Sequence, residues 1–331
     1  MPSTPRRKSC LTCRKPSQDF LRTRRTSNVV AILLVLLVSW AGSAAGGEVS
    51  RDQSFSSEAL GGLMRYSVYL PDAYRSEPEA RFPVVYLLHG YGADDHEWLE
   101  FGNVDETLDR MISSRQIPPF IAIMPFAGKS WYVDSADLGG PGDYETAIVR
   151  DLTHHIEEAY RVMPGRAGRY IAGLSMGGYG AIRFAFFHPD RYQAVASLSG
   201  ALFEDIGIPT VEEPIESGDA AMQDLAEYWF LGAYGRPFDA DIFRRRNPFS
   251  RIEALARGGI VPEILIMAGD DDYFNFDKGS TALQATLQHA NIKAELVIED
   301  GGHEWDLWRS QFPRVMRFFA RALKNAKSHS G

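Results

Sequence analysis

The stretch YIAGLSMGGYGAIRFAFF, residues 170–187, decides the reading of this chain. It opens with a short apolar run at 170–172, of the kind that forms a strand buried on both faces, and ends in a helical pattern over 176–187. Between them lies Gly173-Leu174-Ser175-Met176-Gly177, followed by Gly178. This fits Gly-x-Ser-x-Gly in the strand-turn-helix context that lets the motif present a nucleophile. The glycines are needed because so tight a turn leaves no room for side chains beside the serine, whose own backbone is held in a strained conformation. The turn lifts the Ser175 hydroxyl to the top of a sheet, and the start of the following helix points backbone N–H groups toward developing negative charge.

A serine hydroxyl is a poor nucleophile near neutral pH, so a base must take its proton and an acid must orient that base. With this turn the partners follow in the order Ser, Asp or Glu, His, close to the ends of later strands. The strand-like run 264–267 leads into Gly269-Asp270-Asp271-Asp272, and the run 295–298 leads into Gly301-Gly302-His303. The residues alone leave Asp270, Asp271 and Asp272 open as the acid.

His303 is the base that position selects. His96, His154, His155, His188, His289 and His329 lie in or beside helical patterns or at the tail, where solvated or packing histidines are usual. His154 and His155 are adjacent and so point to different helix faces, which argues against a shared metal. His89 also ends a strand, and its place before Gly90 suits a structural role beneath an oxyanion hole. Such a hole needs two backbone donors. The N–H of Met176, directly after the serine, and that of Tyr91, in the loop after His89-Gly90, are the candidates. This chemistry calls for no metal and no cofactor.

Further strand-like runs at 65–70, 83–88, 120–124 and 194–198 alternate with helical patterns at 104–114, 144–160, 281–290 and 305–324. That alternation predicts an α/β fold with a mostly parallel sheet covered on both faces. No repeat or low-complexity linker divides the region, which favours one domain over 46–331. The exception is the insertion at about 203–251, rich in Pro, acidic and aromatic residues and without a clear strand, which reads either as a lid or substrate wall or as a surface excursion without function.

The 331 residues carry a net charge of -8, but unevenly. Residues 1–28 hold eight basic side chains against Asp19, a charge of +7 that leaves -15 for the remainder. The uncharged stretch 29–45 begins VVAILLVLLV and ends in small residues. This basic, apolar, small-residue order reads as an export signal cleaved after Ala44 or Ala45, or as an uncleaved membrane anchor. Cys10 and Cys13 fall inside the basic segment with no second pair, so neither zinc nor a redox pair is inferred. An acidic remainder argues against nucleic acid as a partner, and any membrane contact would come through residues 1–45.

Together these residues resemble the esterase D group of the α/β-hydrolases, which includes feruloyl and acetyl-xylan esterases, S-formylglutathione hydrolases, tributyrin-type esterases and mycobacterial mycolyltransferases. The matching pieces are LLHGYG (87–92) with Trp98 soon after, MPFAGKSWYVDS (124–135), YIAGLSMGGYGAIRFAFFHPDRY (170–192), GDDDYF (269–274) and GGHEWDLW (301–308). The resemblance implies Ser175 as nucleophile, Asp272 as the acid, His303 as the base, and Trp131 and Tyr132 in a segment lining the acyl pocket. The implied activity is that of an exported serine esterase acting on a small-molecule or carbohydrate ester. An acyltransferase passing the acyl group to a sugar or lipid hydroxyl is the alternative, and a non-catalytic carbohydrate-binding protein is the remote one. S-formylglutathione hydrolases carry no export signal, so a glutathione substrate is not implied.

Overall fold

The computed structural model describes residues 46–205 and 217–328. The expected export signal or anchor, and Cys10 and Cys13 with it, lie outside the described residues. Eight strands form one sheet: β1 (Glu48–Ser57), β2 (Gly62–Leu70), β3 (Val84–Leu88), β4 (Ile121–Pro125), β5 (Arg169–Leu174), β6 (Ala194–Leu198), β7 (Glu263–Gly269) and β8 (Glu295–Glu299). Their order across the sheet is β1-β2-β4-β3-β5-β6-β7-β8. From β4 to β8 every pairing is parallel, whereas β1–β2 and β2–β4 are antiparallel.

Strand periodicity divides the core into two layers. In β3, Val84, Tyr86 and Leu88 face one layer while Val85 and Leu87 face the other. The first layer packs under the helix Met176–Phe187, the helical stretch 144–159 and the helix Phe276–His289. The second packs under the helices Val104–Ser113 and Trp305–Ser328. The strand-like and helix-like runs of the sequence therefore become the expected α/β architecture. One helical pattern differs in detail, since Ala147–Leu152 within 144–159 is wound as a π-helix.

The strand β1 has no counterpart among the sequence expectations. Its segment EVSRDQSFSS is polar, half exposed, and bulged between Ser50 and Gln53. An edge strand needs only one partner and one dry side, so its composition carries little apolar signal. The insertion contains no strand among the described residues. It forms the helices Ser217–Phe230 and Ala240–Arg246, joined by a cluster in which Phe230, Tyr234, Phe238 and Phe243 meet ring to ring at 5.1–6.1 Å.

Candidate active site

Ser175 stands between the end of β5 and the helix Met176–Phe187 with φ 53 and ψ -120, a conformation that side-chain-bearing residues seldom adopt. Neighbouring backbone holds it there. Its N–H donates to the Leu198 carbonyl at 3.0 Å, and its carbonyl accepts the N–H groups of Tyr179 and Ala201, each at 3.1 Å. The flanking glycines are steric necessities: a Cβ on Gly173 would lie 2.2 Å from the Gly177 carbonyl oxygen, and one on Gly177 would lie 2.2 Å from that of Leu88.

Asp272 follows β7 and His303 follows β8, and the fold brings them together with His303 Nδ1 2.8 Å from Asp272 Oδ2. Their side chains are 0% and 7% exposed respectively. The second Asp272 oxygen accepts the Phe274 N–H at 2.9 Å. A carboxylate at Nδ1 places the imidazole proton there and leaves Nε2 bare as an acceptor. Asp270 and Asp271 are exposed, so burial and contact single out Asp272 among the three carboxylates. Edges and faces of Phe274, Phe276 and Trp308 surround the His303 ring at centroid distances of 5.0, 5.3 and 4.9 Å. Trp308 is itself fixed by an Nε1–H donated to Ser199 Oγ at 3.1 Å.

Ser175 and His303 line one cleft, although no hydrogen bond joins Ser175 Oγ to His303 among the described residues. Such contacts are often long in unliganded sites and tighten around substrate.

The loop after β3 faces Ser175 across this cleft, and hydrogen bonds fix its peptide planes. Tyr132 Oη–H donates to the His89 carbonyl at 2.9 Å, and the N–H of the same peptide, on Gly90, donates to Glu97 Oε2 at 2.8 Å. His89 Nε2 accepts the Ala127 N–H at 2.9 Å, so the ring proton sits on Nδ1 and is donated to the Gly90 carbonyl at 2.8 Å. Because a trans peptide sets its C=O and N–H in opposite directions, the last bond turns the Tyr91 N–H away from His89. Neither the Tyr91 nor the Met176 N–H donates to a protein acceptor among the described hydrogen bonds, and both residues line the cleft. Burial lowers the His89 pKa. Burial also pushes the Glu97 carboxyl up to about 7, with the Gly90 N–H opposing and Asp94 adding to the rise.

The cleft encloses about 660 Å³. Trp131 lines it and donates Nε1–H to the Trp229 carbonyl at 2.9 Å, tying the β4 loop to the insertion. Tyr91 makes a second tie, with its ring 5.1 Å from Trp229 and its hydroxyl 3.4 Å from the Tyr228 carbonyl. Tyr132 does not line the cleft: it is fully buried behind the β3 loop. Trp305 packs away from it against Trp98, with rings 5.5 Å apart. Sequence reasoning passed over Glu97, Phe274, Phe276 and Trp308. The last three follow or flank the motif residues by a few positions, whereas Glu97 opens a four-residue helix in a polar stretch with nothing to mark it.

Two groups of side chains approach closely enough to share a cation, Asp52 with Asp95 and His96, and Asp270 with Asp271 and Asp300. Asp95 is already engaged by Arg65 at 3.2 Å, and the second group is wholly exposed. No described helix is long and apolar enough to cross a membrane.

Residues 57–319 match the model of an esterase family described as "Putative esterase". The chain is 30% identical over 263 residues to "Esterase MT1326" of Mycobacterium tuberculosis, a match covering 75% of this chain and 54% of that protein. It thus spans about half the length of that relative. It is 24% identical to the "Diacylglycerol acyltransferase/mycolyltransferase Ag85A" of Mycobacterium ulcerans, over 70% of this chain and 71% of the relative. Among solved structures, a ferulic acid esterase superposes with a TM-score of 0.67 at 24% identity, covering 84% of this chain and 99% of the other. That likeness places the fold among the α/β-hydrolases.

Proposed function

The chain belongs to this esterase family, and from that premise we propose that residues 46–331 act as a serine esterase with Ser175, His303 and Asp272 as its triad. His303 Nε2 takes the Ser175 proton as Oγ attacks the ester carbonyl. The N–H groups of Tyr91 and Met176 hold the negative oxygen of the tetrahedral intermediate. His303 then returns the proton to the departing alcohol, and water releases the acyl group by the same steps in reverse. One observation supports this most: a buried Asp272–His303 contact of 2.8 Å opens on the same cleft as a strained serine and two undonated N–H groups.

The test is Ser175→Ala, which should abolish hydrolysis of short p-nitrophenyl esters and labelling by a fluorophosphonate while the far-UV spectrum stays unchanged. Turnover retained by a clean preparation sinks the assignment.

Acyl transfer is the second reading, favoured by the apolar insertion wall over the cleft and by the activity named for the Ag85A relative. An acceptor that outcompetes water must be held in the site, so measuring the transfer-to-hydrolysis ratio as glycerol or a sugar is added separates the two. We read residues 1–45 as an export signal or anchor, which fractionation of a tagged chain with N-terminal sequencing checks.

A further inference from the structure

Most of the cleft wall is apolar, and one of its polar groups has no step in the proposed mechanism. Glu97 begins the short helix Glu97–Glu100, and its side chain reaches the cleft beside Gly90 and Tyr91. Its two carboxyl oxygens have different surroundings. Oε2 accepts the Gly90 N–H at 2.8 Å. Oε1 receives no donor among the described residues, and the side chain that carries it lines the cleft. No cation pairs with this carboxyl among the described residues, in keeping with the upward push that burial gives it. An acceptor oxygen left short of donors in apolar surroundings gains most from a donor brought by the ligand.

We propose that Glu97 is a specificity-determining residue: while Oε2 holds the Gly90 peptide, Oε1 accepts a hydrogen bond from a hydroxyl carried by the bound ester within a few bonds of the scissile carbonyl. The enzyme then prefers hydroxylated esters to esters of the same size without the hydroxyl. A site built to bind a hydroxyl discriminates strongly, because the analogue lacking it leaves the site's polar group unpaired. This role rests on the esterase reading, since it places the hydroxyl relative to a carbonyl attacked by Ser175.

The experiment compares kcat/KM within two matched pairs. In 2-hydroxyethyl acetate against propyl acetate the hydroxyl is on the alcohol side, and in methyl 3-hydroxybutanoate against methyl 3-methylbutanoate it is on the acyl side. The wild-type enzyme should favour the hydroxylated member of at least one pair by about tenfold. Glu97→Met keeps the length of the side chain but offers the hydroxyl neither a donor nor a strong acceptor, so the preference should fall close to one. Any loss that comes from the loop itself affects both esters and cancels in the ratio. Glu97→Asp, which keeps the carboxylate but retracts it, should weaken the preference and serves if the methionine variant does not fold. Ratios near one for both pairs in the wild type, or a preference unmoved by the substitution, overturn the proposal. Ser175→Ala keeps the two questions apart: turnover in that variant overturns the esterase reading, whereas an inert Ser175→Ala with an unmoved ratio overturns only the role of Glu97.

Discussion

The two walls of the cleft are built on different principles. On one side, Ser175 and the start of the helix Met176–Phe187 are held by backbone against backbone, with glycines where a Cβ would stand 2.2 Å from a carbonyl oxygen, and the peptides of the β3 loop are pinned by hydrogen bonds to the side chains of Tyr132, His89 and Glu97. On the other, the insertion is held by side chains, with Phe230, Tyr234, Phe238 and Phe243 packed on one another and Trp229 joined to Trp131 and Tyr91. Backbone contacts at such distances cannot relax, whereas aromatic clusters repack at moderate cost. Position of the reacting atoms is thus fixed by the first wall, and the shape offered to substrate by the second.

The sharpest break of the first wall is electrostatic. Asp272→Asn should lower kcat by about 10⁴-fold while leaving the thermal midpoint nearly unchanged, since the asparagine fits but favours the wrong histidine tautomer. Asp270→Asn and Asp271→Asn should each stay within about threefold of wild type, because exposed carboxylates contribute little; equal losses at all three positions contradict the buried assignment. Next in size, Gly177→Ala sets a methyl group against the Leu88 carbonyl and should cost about 3 kcal/mol in urea unfolding, with activity lost alongside.

Glu97→Gln tests the same wall through pH. The Glu97 carboxyl is raised from its ordinary 4.5 to about 7, so between those values the folded state binds more protons than the unfolded one and stability falls as pH rises. The penalty is absent below about 4.5 and complete above about 7. The variant's stability relative to wild type should therefore rise across that window by on the order of 2 kcal/mol, measured as unfolding free energy at pH 4.5 and pH 8. A difference independent of pH would mean that Glu97 is well solvated. The second wall should respond least: Trp229→Ala is expected to raise KM about tenfold, with kcat within about threefold, because a packing surface binds ground and transition states alike.

The same contrast explains what could be read in advance. Strands β3 to β7 are short apolar runs because they are buried on both faces, and the nucleophile turn is written in glycines because geometry forbids anything else there. Backbone constraints of that kind act at fixed spacing and leave a pattern. The strand β1 leaves none, since one solvated edge tolerates almost any polar residue. The family resemblance implies a pocket role for Tyr132 beside Trp131, but consecutive side chains turn apart, and the Tyr132 hydroxyl reaches the His89 carbonyl behind the loop. Glu97 owes its environment to a loop folded over it, which no local pattern encodes.

His89 carries a consequence of its own. One proton on this imidazole latches the end of β3 to the loop after β4, with Nδ1 giving and Nε2 receiving. A second proton has nowhere to go, because Nε2 already faces the Ala127 N–H inside a dry interior. The loop that carries the Tyr91 N–H is therefore assembled only around the neutral ring, and its contribution to stability is lost as acidity rises below the ordinary histidine range. Tolerance to acid is in this way set by a residue that touches no substrate.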